Sequence, residues 1–280
     1  MERIQAAIAK ARAARDDHDT SLDTTVTGLA PAPSADTTPP APDARRAAWD
    51  ALSVITPSPR WLARNRIVAA EGGREATSFD LLRTRTLQQM QSNGWKRLAI
   101  TSPSAGCGKS TVSLNLALSM TRQAEKSVVL IEMDMRRPSI AKTLGLTQRH
   151  SVADVLSGKG KVADNAVRFG DNLALLTMHG QTRNPSDILH GDSVARVLSD
   201  IEATFAPSVM IFDLPPLLVN DDTLAFLKHV DAAMLVAAAG STTISEIDTC
   251  ERELAAHTGV MGVVLNKCRY PGRDYGSDYY

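Results

Sequence analysis

Residues 97–118 read RLAITSPSAGCGKSTVSLNLAL, and no other stretch of the 280 residues restricts the fold as tightly. A short apolar run enters a glycine-bearing turn, and Lys-Ser-Thr then opens an amphipathic stretch with helical spacing. Ala105, Gly106, Cys107 and Gly108 bring successive backbone amides to a helix N-terminus, where free N–H groups and aligned peptide dipoles favour a polyphosphate. Lys109 reaches the outer phosphates, the Ser110 hydroxyl suits a magnesium ion, and Thr111 carries the chain into the helix. The full pattern G-x-x-x-x-G-K-[ST] places a glycine six residues before the lysine, and here that position is Pro103. Strand, loop and helix in this order still predict a nucleotide-binding site with a place for Mg2+.

The alternation continues along the chain. Nearly continuous apolar runs lie at 97–101, 127–133, 172–178, 208–214, 232–239 and 262–267, with helical stretches at 77–93, 109–123, 192–204, 221–229 and 243–257. Runs that are apolar at every position are the pattern of strands buried on both faces, and the helices supply the covering layers. The expected fold is α/β: a P-loop NTPase with a doubly wound, mostly parallel sheet, helices on both faces, and a disordered N-terminal linker in front. Thr77 or Ser78 is the expected cap of the first of these helices, and Gly94 its C-terminal stop.

Two more runs end in acids. The run 127–133 leads into IEMDMRRPS, which puts Glu132, Asp134, Arg136 and Arg137 at the carboxyl end of a buried strand, where open α/β sheets bind ligands. Strand alternation points Glu132 and Asp134 the same way, and paired carboxylates beside magnesium and triphosphate serve as base and metal-side ligand. The run 208–214 ends FDLPP: Asp213 is the expected metal-side aspartate, and Pro215 with Pro216 stiffens the turn beyond it. Asn266 closes the last run with an amide that both donates and accepts, which suits reading an adenine or capping a turn. The expected site therefore has Lys109, Glu132, Asp134 and Asp213 as catalytic groups, Ser110, Asp134 and Asp213 on the metal, and residues 105–111 with Arg136 and Asn266 around the nucleotide.

Five segments are expected. Residues 1–18 read as a short helix with Ile4, Ala7, Ile8 and Ala11 on one thin apolar face. Residues 19–46, rich in Thr, Pro, Ala and Asp, form a disordered linker, and 47–74 a partly ordered arm carrying Trp49 and Trp61. Residues 75–268 are the P-loop domain and 269–280 a mobile tail. Zero formal net charge offers no electrostatic footprint for nucleic acid. The charged N-terminus has no signal-peptide core, no apolar run approaches a membrane span, and Cys107, Cys250 and Cys268 have neither metal spacing nor a paired framework, so the expected location is cytoplasmic.

All four tyrosines, Tyr270, Tyr275, Tyr279 and Tyr280, fall in the final RYPGRDYGSDYY. Tyrosine normally serves as a half-buried aromatic, yet here its spacers are Pro, Gly, Arg, Asp and Ser, which build no apolar face. In chain order, SAGCGKST, EMDMRRP, FDLPP and this tail resemble the bacterial tyrosine kinases of capsule and exopolysaccharide synthesis, in the form where the cytoplasmic kinase is a separate polypeptide. The resemblance covers about residues 75–280.

It implies an ATP-dependent protein-tyrosine autokinase. Lys109 and Ser110 would bind ATP and Mg2+, Asp134 and Asp213 would assist the metal, and Glu132 stands in place of the family's first aspartate, the base. The tail tyrosines would be phosphoacceptors in trans. The resemblance further implies a homo-oligomer, an opposing phosphatase, and a membrane-embedded polysaccharide co-polymerase that recruits the kinase to the inner membrane face and activates it. Two departures stand out: glutamate for aspartate at 132, and Thr77, Asp80 and Arg83 where the family has E-x-x-R-x-x-R. Two other functions share the fold. A catalytically weak ATP-binding regulatory module of the same pathway is motivated by Glu132. A ParA/MinD-like positioning ATPase carries a signature lysine where this chain has Ser104, and lacks a tyrosine tail.

Overall fold

The apolar runs form the middle of an eight-stranded sheet of order β1-β4-β5-β3-β6-β2-β7-β8. The strands are β1 Ser53–Ile55, β2 Arg97–Thr101, β3 Val128–Glu132, β4 Ala166–Phe169, β5 Leu173–Leu176, β6 Val209–Asp213, β7 Ala232–Ala238 and β8 Gly259–Asn266. The structure, a computed structural model, describes residues 42–268; the expected N-terminal helix, nearly all of the linker and the tyrosine tail lie outside them. Every neighbouring pair is parallel except β4 and β5. Alternation divides the core between the two faces. Ala99, Ile131, Met210 and Phe212 pack in one layer, and Leu98, Ile100, Leu130 and Ile211 in the other. Each large side chain buried in this way contributes roughly 1.5–3 kcal/mol.

β1 and β4 are the strands the sequence did not announce. They are three and four residues long, and β4 carries Arg168, so neither forms an apolar run. β4 pairs antiparallel with β5 across a turn at Gly170, whose φ of 62° suits glycine. The helix Thr77–Asn93 ends at Gly94 in the left-handed region, as its sequence predicts, but neither Thr77 nor Ser78 caps its start. A 3-10 turn, Arg74–Ala76, runs straight into it, with Ala76 at the cap position and no side-chain bond.

The linker ends earlier than expected. A helix, Pro42–Asp50, begins within the stretch read as linker, because an anchor waits at its far end. Trp49 is buried, its indole N–H donates to the Phe205 carbonyl at 3.0 Å, and its ring meets that of Phe205 edge-on at 5.4 Å. Beyond β1, the helix Pro59–Arg64 is capped by Ser58, and Leu62, Ile67 and Ala69 are buried.

These residues change the character of the helix that follows the glycine loop, Lys109–Thr121. The sequence reads there as an amphipathic helix, but its polar Ser113, Asn115 and Ser119 are fully buried. Asn115 Oδ1 accepts from the amides of Val68 (2.8 Å) and Ala69 (3.0 Å), while its Nδ2 donates to the carbonyls of Arg66 (3.0 Å) and Thr111 (2.8 Å). Ser119 donates to Asp80, which also accepts from Arg122 at 2.7 Å and Arg83 at 3.3 Å. Arg83 is thus engaged within its own chain.

Candidate active site

The loop after β2 turns on Gly106 and Gly108, at φ of 84° and 93°, conformations that side chains with a Cβ rarely adopt. Pro103 fits because its carbonyl is the group in use: it accepts from the Leu218 amide at 3.3 Å, as Ser102 does from Leu217 at 2.8 Å. The hydroxyls of Thr101 and Thr223 both donate to the Pro215 carbonyl at 2.7 Å. The D-L-P-P turn is therefore laced to the first strand and its loop. The Cys107 thiol is buried against the hydroxyls of Ser104 and Thr242, each at 3.7 Å, and takes no place in a phosphate cradle.

Asn266 Nδ2 donates to the Cys107 carbonyl at 2.9 Å, so the last strand closes on the loop. A Cβ on Gly108 would run into that same amide nitrogen. Gly108→Ala is expected to combine this clash with the unfavourable φ and to weaken ATP binding at least about tenfold, a loss of ~1.4 kcal/mol or more. Titration with a fluorescent ATP analogue checks this; unchanged affinity would contradict it.

Register sets the backbone of Glu132 in β3 beside that of Asp213 in β6. Lys109 Nζ lies 2.8 Å from Asp134 and 3.7 Å from Asp213. Burial alone would lower the Lys109 ammonium, but Asp213 and Asp134 hold it above the ordinary lysine value. Burial raises the Asp213 carboxyl, and Lys109 with the hydroxyls of Ser110 and Ser113 offsets this only in part. Ser113 donates to Asp213 Oδ1 at 3.3 Å, whereas Oδ2 is buried and has no partner. An orphaned carboxylate oxygen next to a serine hydroxyl fits a hard cation. Among the described residues no cluster of three or more His, Cys, Asp or Glu side chains could hold a metal. The donors Ser110 and Asp213 instead suit Mg2+ carried in with phosphate and water, while Asp134, which the sequence also offered to the metal, is held by Lys109 and the Arg137 amide.

Two expected site residues are placed differently. Arg136 does not face the nucleotide loop: its guanidinium grips Asp222 through Nε at 2.6 Å and Nη2 at 3.0 Å, with Ser186 completing the cluster. Glu132 is fully buried and spends both oxygens on backbone amides, Oε1 on Ser139 and Ile140 (2.8 Å for the latter), Oε2 on Met178 at 2.9 Å. Burial pushes its carboxyl up to about 7, against these three amides, which favour the anion. Sequence reasoning missed Asp222, Ser113 and Ser186. The run Asn220-Asp221-Asp222 just after the proline turn was the available signal for the first.

A phosphate loop after the first core strand, with one carboxylate from the end of β6 and one from just past its parallel neighbour β3 on its lysine, defines a nucleotide-binding P-loop protein. The family described as "ParA: NUBPL iron-transfer P-loop NTPase" matches residues 95–278, and the chain belongs to this family. Within it, the resemblance read from the motifs holds: the relatives are bacterial tyrosine-protein kinases. The chain is 30% identical over 199 residues to tyrosine-protein kinase wzc of Salmonella typhi, covering 69% of itself and 27% of that protein. It is 29% identical to tyrosine-protein kinase YwqD of Bacillus subtilis, over 61% of itself and 72% of YwqD. It therefore spans about a quarter of the Salmonella protein, 27%, and most of the shorter one. Among solved structures, the VpsO kinase domain superposes with a TM-score of 0.61 at 25% identity, over 69% of this chain and 96% of that domain. The kinase domain of Escherichia coli ETK shares the fold, with a TM-score of 0.64 at 23% identity over 81% and 94% of the two chains.

Proposed function

We propose that the chain is an ATP-dependent protein-tyrosine autokinase that modifies its own C-terminal tyrosines in trans, within a polysaccharide export system. One observation carries this: a cradle in which Lys109 bridges Asp134 and Asp213 belongs to a chain whose four tyrosines all lie within its last twelve positions, 269–280. The names of the matched relatives support the same reaction.

In this reading the amides of residues 105–111 and the Lys109 ammonium bind the phosphates, and Asn266 holds the loop from behind. Bound Mg2+ would neutralise charge on the transferred group. Asp213, fixed by Ser113, and the Ser110 hydroxyl would hold the metal. With Lys109 turned to phosphate, Asp134 is released to accept the phenolic proton as the tyrosyl oxygen bonds to the γ-phosphorus and ADP departs. Arg136, through Asp222, fixes the loop carrying Asp134 against the turn beyond Asp213. Activation by a membrane-embedded co-polymerase, an opposing phosphatase, self-association and recruitment to the inner membrane face belong to the same proposal. Among the described residues no helix is long and apolar enough to cross a membrane.

Mass spectrometry of the C-terminal peptide after incubation with Mg2+ and ATP tests the reading, beside Lys109→Met and with and without a candidate activator segment. Phosphate on Tyr270, Tyr275, Tyr279 or Tyr280 that depends on Lys109 is the expected result. An unmodified tail in protein that binds ATP would replace the kinase reading with that of a regulatory module.

A further inference from the structure

One side chain under the Asp134 loop holds together two segments far apart in sequence. Glu132 takes the Ser139 and Ile140 amides, which open the helix Ile140–Leu144, on one oxygen, and the Met178 amide on the other. Those segments are the two sides of a groove of about 600 Å3, whose lining includes Arg137 and Lys142 on one side and Met178 and His179 on the other. The groove adjoins the proposed site directly, since the Arg137 amide donates to Asp134 Oδ1 at 3.0 Å.

A carboxylate has about four acceptor positions, and three of those on Glu132 are filled by donors that cannot move without moving the backbone. A general base must bring a free oxygen within hydrogen-bond reach of the proton it takes. Glu132, 0% exposed, does not meet that requirement. We propose that Glu132 is a positioning residue that clamps the two walls of the acceptor groove, and that proton acceptance falls to Asp134. The extra methylene over aspartate gives the carboxylate its reach from β3 to both walls. A second tie, the Thr182 amide to the Met135 carbonyl at 3.0 Å, lies outside this clamp and leaves the segments joined without it. What the groove receives rests on the kinase reading; the clamp itself does not.

The test uses the full chain at pH 8 as wild type, Glu132→Gln and Glu132→Asp. Two properties are read: hydrogen exchange by mass spectrometry, and phosphorylation of a synthetic peptide of residues 269–280. Glutamine presents an N–H to at least one amide donor, and aspartate is too short, so both variants are expected to exchange at least about fivefold faster across 139–142 and 178–180. The KM for the peptide is expected to rise about tenfold or more, with a smaller change in kcat and ATP affinity within about threefold, the signature of lost positioning. A base would give the reverse, a kcat loss of roughly 10²–10⁴ with exchange unchanged and activity retained in Glu132→Asp. Unchanged exchange in both segments overturns the clamp, as does a fall in kcat larger than the rise in KM. If the wild type leaves the peptide unmodified with the candidate activator segment present, the kinase reading fails, and exchange alone decides the clamp.

Discussion

Lys109→Met is expected to remove tail phosphorylation by at least about a thousandfold, since it deletes the cation that meets the charge developing on the transferred phosphoryl group. The apo geometry adds a second consequence. Lys109 lies between Asp134 and Asp213, and its side chain is only 10% exposed. Without it, two acids face each other in a buried site, one of them, Asp213, already raised by burial. Losing one partner of a buried ion pair typically costs about 3–5 kcal/mol. Proton uptake by Asp213 moderates this, so the variant should regain stability as pH falls toward the raised carboxyl value. Urea denaturation at pH 5 and pH 8 checks it: the gap from wild type should narrow at the lower pH, and a pH-independent gap would contradict the shared-cation picture.

Asn115→Ala is expected to produce the largest loss of stability away from the nucleotide, about 3–5 kcal/mol. It strips four hydrogen bonds at a fully buried position and leaves the Val68 and Ala69 amides without an acceptor, at a cost of about 1–3 kcal/mol for each buried group left unpaired. Asn115→Asp is the sharper control. It keeps the acceptor but turns a second carboxylate oxygen on the carbonyls of Arg66 and Thr111, so it should be no better than alanine. Chemical denaturation gives the magnitude, and limited proteolysis between residues 59 and 76 should show the arm released first. Wild-type resistance to protease in either variant would contradict this.

The nucleotide loop was legible because its chemistry is local: strand, glycines, lysine and helix lie within 25 residues, 97–121. The strand ends carrying Asp134 and Asp213 were legible for the same reason, since apolar runs of the right length stop at an acid. What escaped was long-range. Glu132 looks like a free acid until the amide of Met178 folds onto it from 46 positions away. Asn115 and Ser119 look like a wet face until residues 66–69 and Asp80 cover them. Arg136 looks like a phosphate ligand until Asp222 claims it across 86 positions. β4 is a strand only because β5 offers an edge, and β1 only because β4 then offers the next, and no apolar pattern in their few residues says so.

The bond from Asn266 to the Cys107 carbonyl fixes where the chain leaves the domain, and that makes the tail a ruler. Measured from this root at about 3.3 Å per extended residue, Tyr270 reaches no more than roughly 13 Å and Tyr280 roughly 46 Å. A tether presents its far end to many positions and its near end to few. In the kinase reading proposed above, contour length alone therefore gives Tyr279 and Tyr280 a longer maximum reach than Tyr270. If the four phenols are the acceptors, as proposed, their spacing along the sequence ranks them by reach, so the order of modification becomes a question of chain length as well as chemistry.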